Sequence, residues 1–524
     1  MDQAKLIQEL KEEYGVSPLA VTQGHSDETT IEVKPDEFKK TCLCLHKTLR
    51  SPVMMLFASD DRAKLGGYTI QAVFIGIEYR KWFFAAIKVP SLNPAFESIA
   101  RDIYSANLFE REIKEMFGLE PKGNPDTRRL RLHEEVWPEG FYPLRKDFDA
   151  AKVAGAKGRY TFNQVEGEGI FEVPVGPVHA GIIGPGHFRF SAAGEPIIDL
   201  DIRLGFTHRG AEKLFERKQP AEVIKLSECV AGDSAFAHSL AFCRAVEKIS
   251  GTVVPERAIV LRAVFLELER LYNHAAGIGG IALDVGFSAP AAYASIVKES
   301  VHQLNDRLTG SRFLKSVNAV SGLSKDISEE NVNDLRKTLK SLTGDFGELK
   351  KLLFDSVSFM DRVETTGRLS KKIAEDFGVM GLAGRASGVG LDFRKNSRPY
   401  AAAGFKLMTR KEGDVLARLG VRLDEFEESI RLIEFWLADL PEGSIISDTQ
   451  VKKEGSGLGC VEGWRGPVLY WLALDNFGAI RRCKIVDPSF HNWPGLSYAV
   501  HDNIIPDFPV CNKSFDLSYS GNDL

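Results

Sequence analysis

Two apolar stripes at helical spacing constrain the fold of this chain more than any other feature. After Pro255, the residues Leu261, Val264, Phe265, Leu268, Leu271, Tyr272 and Ala275 fall on one face of a helix. Farther on, Val332, Leu335, Leu339, Leu342, Phe346, Leu349 and Leu353 keep 3–4 spacing, the seam of a long helix packed on another. Stripes of this length need partner helices, so they predict a large, mainly helical body. Residues 1–148 read differently. Strand-like runs, YTIQAVFIGIEY and KWFFAAIKV, lie between helical segments, beginning with the charged amphipathic start MDQAKLIQELKEEYG. Residues 149–168, rich in Gly, Ala and charge, predict a linker. Next, Ile198, Leu200, Ile202, Leu204 and Phe206 alternate with other residues, predicting a half-buried strand after a turn at Gly194. The reading is α+β: a small α+β domain over 1–148, then a mainly α domain over 169–524 introduced by a small β-sheet.

With 524 residues the chain exceeds one compact core. Its 44% hydrophobic and 27% charged residues are those of a soluble globular protein, and a net charge of -5 argues against nucleic acid or anionic membrane as the main partner. Seven cysteines without a C-x-x-C pair read as reduced thiols. The start lacks the apolar core of a signal peptide, and the most apolar stretch is interrupted by Asp284 and Pro290, so membrane association is expected through a partner. The Gly-rich run 381–390 lacks both phosphate-binding fingerprints, and no dinucleotide site is expected. On composition alone, Glu110, Arg111, Glu112, Arg128 and Arg129 read as a solvated charged face. Asp233 or Ser234 is placed to cap the helix starting near Phe236. Cys229 reads as a partly buried, inert thiol.

Three long stretches go beyond pattern. Residues 109–148 (FEREIKEMFGLEPKGNPDTRRL and onward) resemble the signature of the smaller peripheral-arm subunit of respiratory complex I. Residues 176–216, with GPVHAGIIGPGHFRF and DIRLGFTHRGAEKLFE, resemble the opening of the larger peripheral-arm subunit that lines the quinone pocket. GRASGVGLDFRKNSRPY (384–400) and VEGWRG (461–466) continue the likeness. Together with FAHSLAF (236–242) and ERLYNH (269–274), this fusion is similar to the large subunits of formate hydrogenlyase and related energy-converting, group 4 [NiFe] hydrogenases.

The resemblance implies where a nickel-iron centre would sit. The family holds it with four cysteines, because thiolate is soft and deprotonates within reach of neutral pH. Anchored on FAHS, the first two positions fall on Ala231 and Ser234; anchored on the tail, the second two fall on Ser518 and Gly521. Sliding Cys229 into the first place brings Gly232 into the second, so a shift recovers one thiolate at most. The tail ends at Leu524, without the extension that family hydrogenases have cleaved after nickel insertion. No metal ligand and no nickel-iron centre are expected, and Cys229 itself falls where relatives have an arginine near a neighbouring iron-sulfur cluster.

The quinone partners implied by complex I are replaced as well. The headgroup histidine corresponds to Ile183 and the tyrosine to Gly232, while His179 matches the earlier histidine of the motif. What remains is a cavity frame. Glu212 matches a carboxylate near a magnesium and a proton route in hydrogenases, Arg465 the arginine over the active site, and His208 with Arg209 a polar strip. The expected catalytic set is Glu212, Arg465, Asp233 and Ser234, with His179, Ile183, His208, Arg209 and Gly232 lining the pocket. The resemblance implies a peripheral-arm subunit of a complex-I-like, hydrogenase-related membrane oxidoreductase. Its expected partners are an iron-sulfur small subunit with a [4Fe-4S] cluster, antiporter-type membrane subunits and a ferredoxin-like subunit, on the cytoplasmic side of the membrane. The expected acceptor is a quinone held differently or a sulfur compound. A non-catalytic scaffold of the same kind of complex is the alternative, and an active hydrogenase comes after it.

Overall fold

The computed structural model describes residues 3–77, 80–180, 183–448 and 454–524. A five-stranded sheet forms the first body from β1 (Ala20–His25), β2 (Glu28–Glu32), β3 (Met55–Asp61), β4 (Gly67–Gly76) and β5 (Lys81–Pro90), ordered β1-β2-β5-β4-β3. Within it, the β2–β5 pair is parallel and the others antiparallel. The two strand-like runs are β4 and β5, paired from Gly67↔Pro90 to Gly76↔Lys81; Glu78 and Tyr79 of the first run lie outside the described residues. Helices α1 (Gln3–Glu12), α2 (Phe38–Leu49) and α3 (Asn107–Phe117) contribute to the same apolar core.

The charged segment of α3 is not a solvated face. Glu110, Arg111, Glu112 and Glu115 are all buried. Glu110 accepts from Ser98 Oγ (2.5 Å), the Ile99 amide (2.7 Å) and Asn124 Nδ2 (2.7 Å). Arg111 donates to the Arg128 and Arg129 carbonyls, and Glu115 accepts from the Leu130 and Arg131 amides. Charge here clamps the 124–131 loop onto the helix. Satisfied partners make such burial tolerable.

The second body holds α4 (Ala211–Phe215), α5 (Ala235–Ser250), α6 (Glu256–Asp284), α7 (Ser288–Thr309), α8 (Glu329–Phe354), α9 (Gly381–Ala386) and α10 (Val415–Ala438). The two stripes lie on α6 and α8 and are buried, apart from a half-buried Val332. Phe346 of α8 stacks on Phe426 of α10, with ring centroids 3.9 Å apart. The introducing sheet is antiparallel, β6 (Ile170–Val175), β7 (His187–Ala193) and β8 (Ile197–Arg203), with β7 central. Its last strand departs from the expected alternation. A bulge between Ile197 and Asp199 turns Ile198 outward and Ile197 into the core, and the strand ends at Arg203, leaving Phe206 exposed. A bulge resets which side chains face the core.

A third sheet, β9 (Gly455–Glu462), β10 (Pro467–Leu474) and β11 (Ile480–Val486), interrupts the helices expected after residue 210. Every residue of β10 is buried, and its two faces serve different cores. Leu469, Trp471 and Ala473 join the first body, whereas Val468, Tyr470, Leu472 and Leu474 join the helical body. The period of two thus lets one strand bond both halves. Helices α11 (Pro488–Ala499), α12 (Phe508–Phe515) and α13 (Tyr519–Asp523) complete the chain.

Candidate functional site

The turn from β9 to β10 brings Trp464 and Arg465 against the start of α5. Gly381, the first residue of α9, fixes this approach: at φ +63°, a Cβ there would lie 1.9 Å from the Arg465 carbonyl oxygen. Arg465 forks onto Asp233, Nη1 to Oδ1 at 2.8 Å and Nη2 to Oδ2 at 2.6 Å. Its Nε donates to the Asp516 carbonyl, and the guanidinium lies 3.9 Å from the Trp464 ring centroid. Burial opposes the Arg465 charge, yet Asp233 holds its pKa above the ordinary arginine value. Ser234 Oγ accepts from Trp464 Nε1 (3.0 Å) and Arg465 Nη1 (3.3 Å). The pair is asymmetric: the Arg465 side chain is 5% exposed, that of Asp233 40%.

Neither Asp233 nor Ser234 caps α5. That role belongs to Glu269 of α6, whose carboxylate accepts from the Phe236 (2.7 Å) and Ala237 (3.1 Å) amides. Meanwhile the Asp233 carbonyl accepts from Tyr272 Oη (3.0 Å) and Asn273 Nδ2 (2.8 Å). Burial raises the Glu269 carboxyl to about 8 in spite of the two amides, with Asp233 adding to the effect.

Each of the four positions aligned with nickel-iron cysteines has another occupation. Ala231 is a buried methyl. Ser234 is committed to Trp464 and Arg465. Ser518 caps α13, accepting from the Gly521 amide at 2.9 Å. At Gly521 a Cβ would stand 2.6 Å from the Asp487 carboxyl carbon, so that space is filled. Asp487 lies 3.0 Å from His238 Nε2, and His238 Nδ1 lies 3.0 Å from Tyr470 Oη. A methyl, two bonded hydroxyls and a glycine backed by a carboxylate do not fit a soft-metal cage. Among the described residues, no group of three or more His, Cys, Asp and Glu side chains is arranged to hold a metal ion.

Glu212 is buried on α4 between two cations of β11. It pairs with Arg482 (2.6 Å) and Lys484 (3.2 Å) and accepts from the Ile485 amide (3.0 Å). Burial alone would raise its pKa, but these partners bring it to about 2. Lys484 also reaches Glu112 of α3, tying the first body to the site. Glu212 and His208 border a cavity of about 20 Å³, room for one water. His208 Nδ1 lies 2.7 Å from the Asp523 carbonyl, and burial, reinforced by Arg131, lowers its pKa.

The remaining expected residues make no bond to the Asp233–Arg465 pair among the described residues. Arg209 is exposed and donates to the Val230 carbonyl; Gly232 is exposed beside Asp233. His179, on the β6–β7 connection, holds the Gly186 carbonyl at 2.7 Å. Ile183 is half exposed on the same connection, whose Gly181 and Ile182 lie outside the described residues. Cys229 is exposed rather than partly buried, because it sits in the turn after the helix Pro220–Ser227 with its side chain outside the core.

Residues of three motifs that carry the resemblance, joined by Glu267 and Glu425, form a web that no sequence signal assigned. Glu267 and Arg270 of α6, Arg385, Asp392, Arg394, Glu425 and Glu462 are all buried together. Glu425 takes Arg385 (2.8 Å), Arg394 (3.1 Å) and His274 (3.0 Å). Glu267 takes Arg270 (3.0 Å), Tyr400 Oη (2.7 Å) and Ser429 Oγ (2.5 Å). Arg270 also donates to the carbonyls of Glu462 and Gly463, supporting the turn that carries Arg465. Asp487, Lys484 and Arg482 were not expected at the site either. The Asp-Pro pair at 487–488 and the alternation of Arg482 and Lys484 with Cys483 and Ile485 were their only signals.

Comparisons with known proteins agree with this architecture. Residues 31–154 match the family described as respiratory-chain NADH dehydrogenase, 30 Kd subunit, and residues 284–454 that described as respiratory-chain NADH dehydrogenase, 49 Kd subunit. Formate hydrogenlyase subunit 5 of Escherichia coli (strain K12) is 32% identical, covering 95% of this chain and 89% of that protein. Hydrogenase-4 component G of the same organism is 31% identical, covering 95% and 88%. An NADH-quinone oxidoreductase subunit of Phocaeicola vulgatus is 30% identical, covering 71% and 76%. Among solved structures, a chain of the membrane-bound sulfane sulfur reductase, an archaeal respiratory membrane complex, superposes with a TM-score of 0.64 at 27% identity, over 68% of this chain and 99% of that one. The chain therefore belongs to the complex I and hydrogenase family that includes formate hydrogenlyase subunit 5 and hydrogenase-4 component G, with 30 Kd-type and 49 Kd-type segments in one polypeptide.

Proposed function

We propose that this chain is a peripheral-arm subunit of a hydrogenase-related membrane oxidoreductase that works without a nickel-iron centre. In this reading it docks an iron-sulfur small subunit, receives electrons from that partner's [4Fe-4S] cluster near Glu212, Asp233, Ser234 and Arg465, and couples their transfer to ion translocation by antiporter-type membrane subunits. A ferredoxin-like subunit is the remaining partner in this reading. Residues 1–148 and 169–524 act as its two units. The acceptor is a quinone or a sulfur compound; the likeness to a sulfane sulfur reductase favours sulfur. Among the described residues no helix is long and apolar enough to cross a membrane; in this reading the chain is held at the cytoplasmic side of the membrane by its partners.

The observation that carries the metal-free reading is Asp487 standing where a side chain at Gly521 would be. The test is nickel analysis of the purified complex beside its turnover. Expected are substoichiometric nickel, no hydrogen evolution, and reduction of a quinone or polysulfide. Stoichiometric nickel overturns it. One observation favours the scaffold alternative: Arg465 and Glu212 are both neutralised within the chain. Arg465→Met and Glu212→Gln separate the two readings. Lost turnover in an assembled complex supports the redox role, and unchanged turnover supports the scaffold.

A further inference from the structure

A second, much larger cavity lies away from the site, between the first sheet and the helical body. Its volume is about 410 Å³, within the range of small-molecule pockets. Arg244 of α5 and Arg80, in the turn before β5, face it from opposite bodies, with Asn396 and Ser397 alongside. One wall is flat and aromatic, since Trp82 and Phe393 stack with centroids 5.5 Å apart and planes 5° from parallel.

Charge accounting decides what such a cavity takes. Its three acids already have other cations. Asp27 holds Lys248 (2.8 Å), Glu247 holds Arg262 (2.6 Å), and Glu462 holds Arg385 (2.7 Å). The lining cation Arg394 is likewise bound to Asp392 (2.7 Å). Arg244 has only the Cys460 carbonyl, at 2.9 Å, and Arg80 has no carboxylate partner among the described residues. Burial, reinforced by Arg262, lowers the Arg244 pKa, and the nearby Glu247, itself bound to Arg262, offsets this only in part. A largely desolvated guanidinium without an anion is costly, and its fork geometry suits carboxylate and phosphate oxygens.

We propose that this interbody cavity binds a small organic anion, its carboxylate or phosphate group held by Arg244 and Arg80 and its body laid against the Trp82–Phe393 wall. The inference does not rest on the electron-transfer reading, because none of these residues belongs to the Arg465 site. A ligand here would contact both bodies at once, next to the Glu462 end of the web.

The test is thermal unfolding of the full-length chain, titrated with inorganic phosphate and separately with succinate, at ionic strength held constant with sodium chloride. A saturable rise in Tm with phosphate identifies a phosphate-type ligand; one with succinate identifies a carboxylate. Arg244→Met is expected to weaken the apparent affinity by about tenfold or more. Arg80→Gln, at an exposed position that leaves the fold intact, is expected to weaken it as well, so the test survives a poorly folded Arg244 variant. No saturable rise with either anion, or an equal rise in both variants, overturns the proposal.

Discussion

The Asp233–Arg465 pair and the web around Glu425 are built from the same residue types, yet they differ in how much water each retains. In the web, Glu425, Arg385 and Arg394 have side chains at most 1% exposed, and every charge depends on its partners. At the site the Asp233 side chain remains 40% exposed. A sealed network loses heavily when one member goes, because the others cannot be rehydrated. An ion pair open on one side can be broken and remade. The web reads as fixed structure, and the open pair as the part of the molecule able to respond to a neighbour.

The widest gap between the two regions should come from Glu425→Gln. It leaves Arg385 and Arg394 short of a counter-charge, at a cost of about 3–5 kcal/mol. Denaturant unfolding should show that loss, or the variant should fail to accumulate in soluble form. Asp233→Asn should cost only about 1–2 kcal/mol, since water replaces part of what Arg465 loses. Equal costs at the two positions would erase the distinction.

Glu269 sits between the regions, and its effect should appear in the pH dependence. Its folded pKa of about 8 lies above that of an unfolded glutamate. The folded state therefore holds a proton that the unfolded chain releases. The resulting stabilisation is full below the unfolded glutamate pKa and is lost as pH rises through about 8. Glu269→Gln should flatten that decline while still accepting from an α5 amide. Parallel pH-stability curves for the two proteins would show that Glu269 is not the titrating group.

The long stripes of α6 and α8 were legible because apolar periodicity is a local signal. The cap of α5 was not: Asp233 and Ser234 had the right residue types at the right place, and Glu269, 33 residues beyond Phe236, took the role. The same limit explains Glu110, Arg111 and Glu112, whose charges read as solvated, although the 124–131 loop folds over this part of the helix. β10 was hidden because a strand buried on both faces shows no alternation of polar and apolar residues. The four aligned positions could be read as lacking thiols, but not that Asp487 would fill the space beside Gly521. Partners across the fold leave no periodic trace in the chain.

The smallest effect should come from Cys229, and it sharpens the comparison at the surface. Cys229→Ser should change stability by less than about 0.5 kcal/mol, because the thiol is exposed. Its reactivity should be the more telling quantity. Five of the other six cysteines are buried and Cys460 is partly so, and burial pushes Cys44 to about 11 and Cys511 to about 12. A thiol reagent applied to the native chain should therefore modify Cys229 first. If the iron-sulfur partner docks over this turn, as the family resemblance implies, assembly should slow that modification while leaving the six internal thiols unchanged. Equal rates in the free chain and the assembled complex would place the docking face elsewhere, and with it the electron route proposed above.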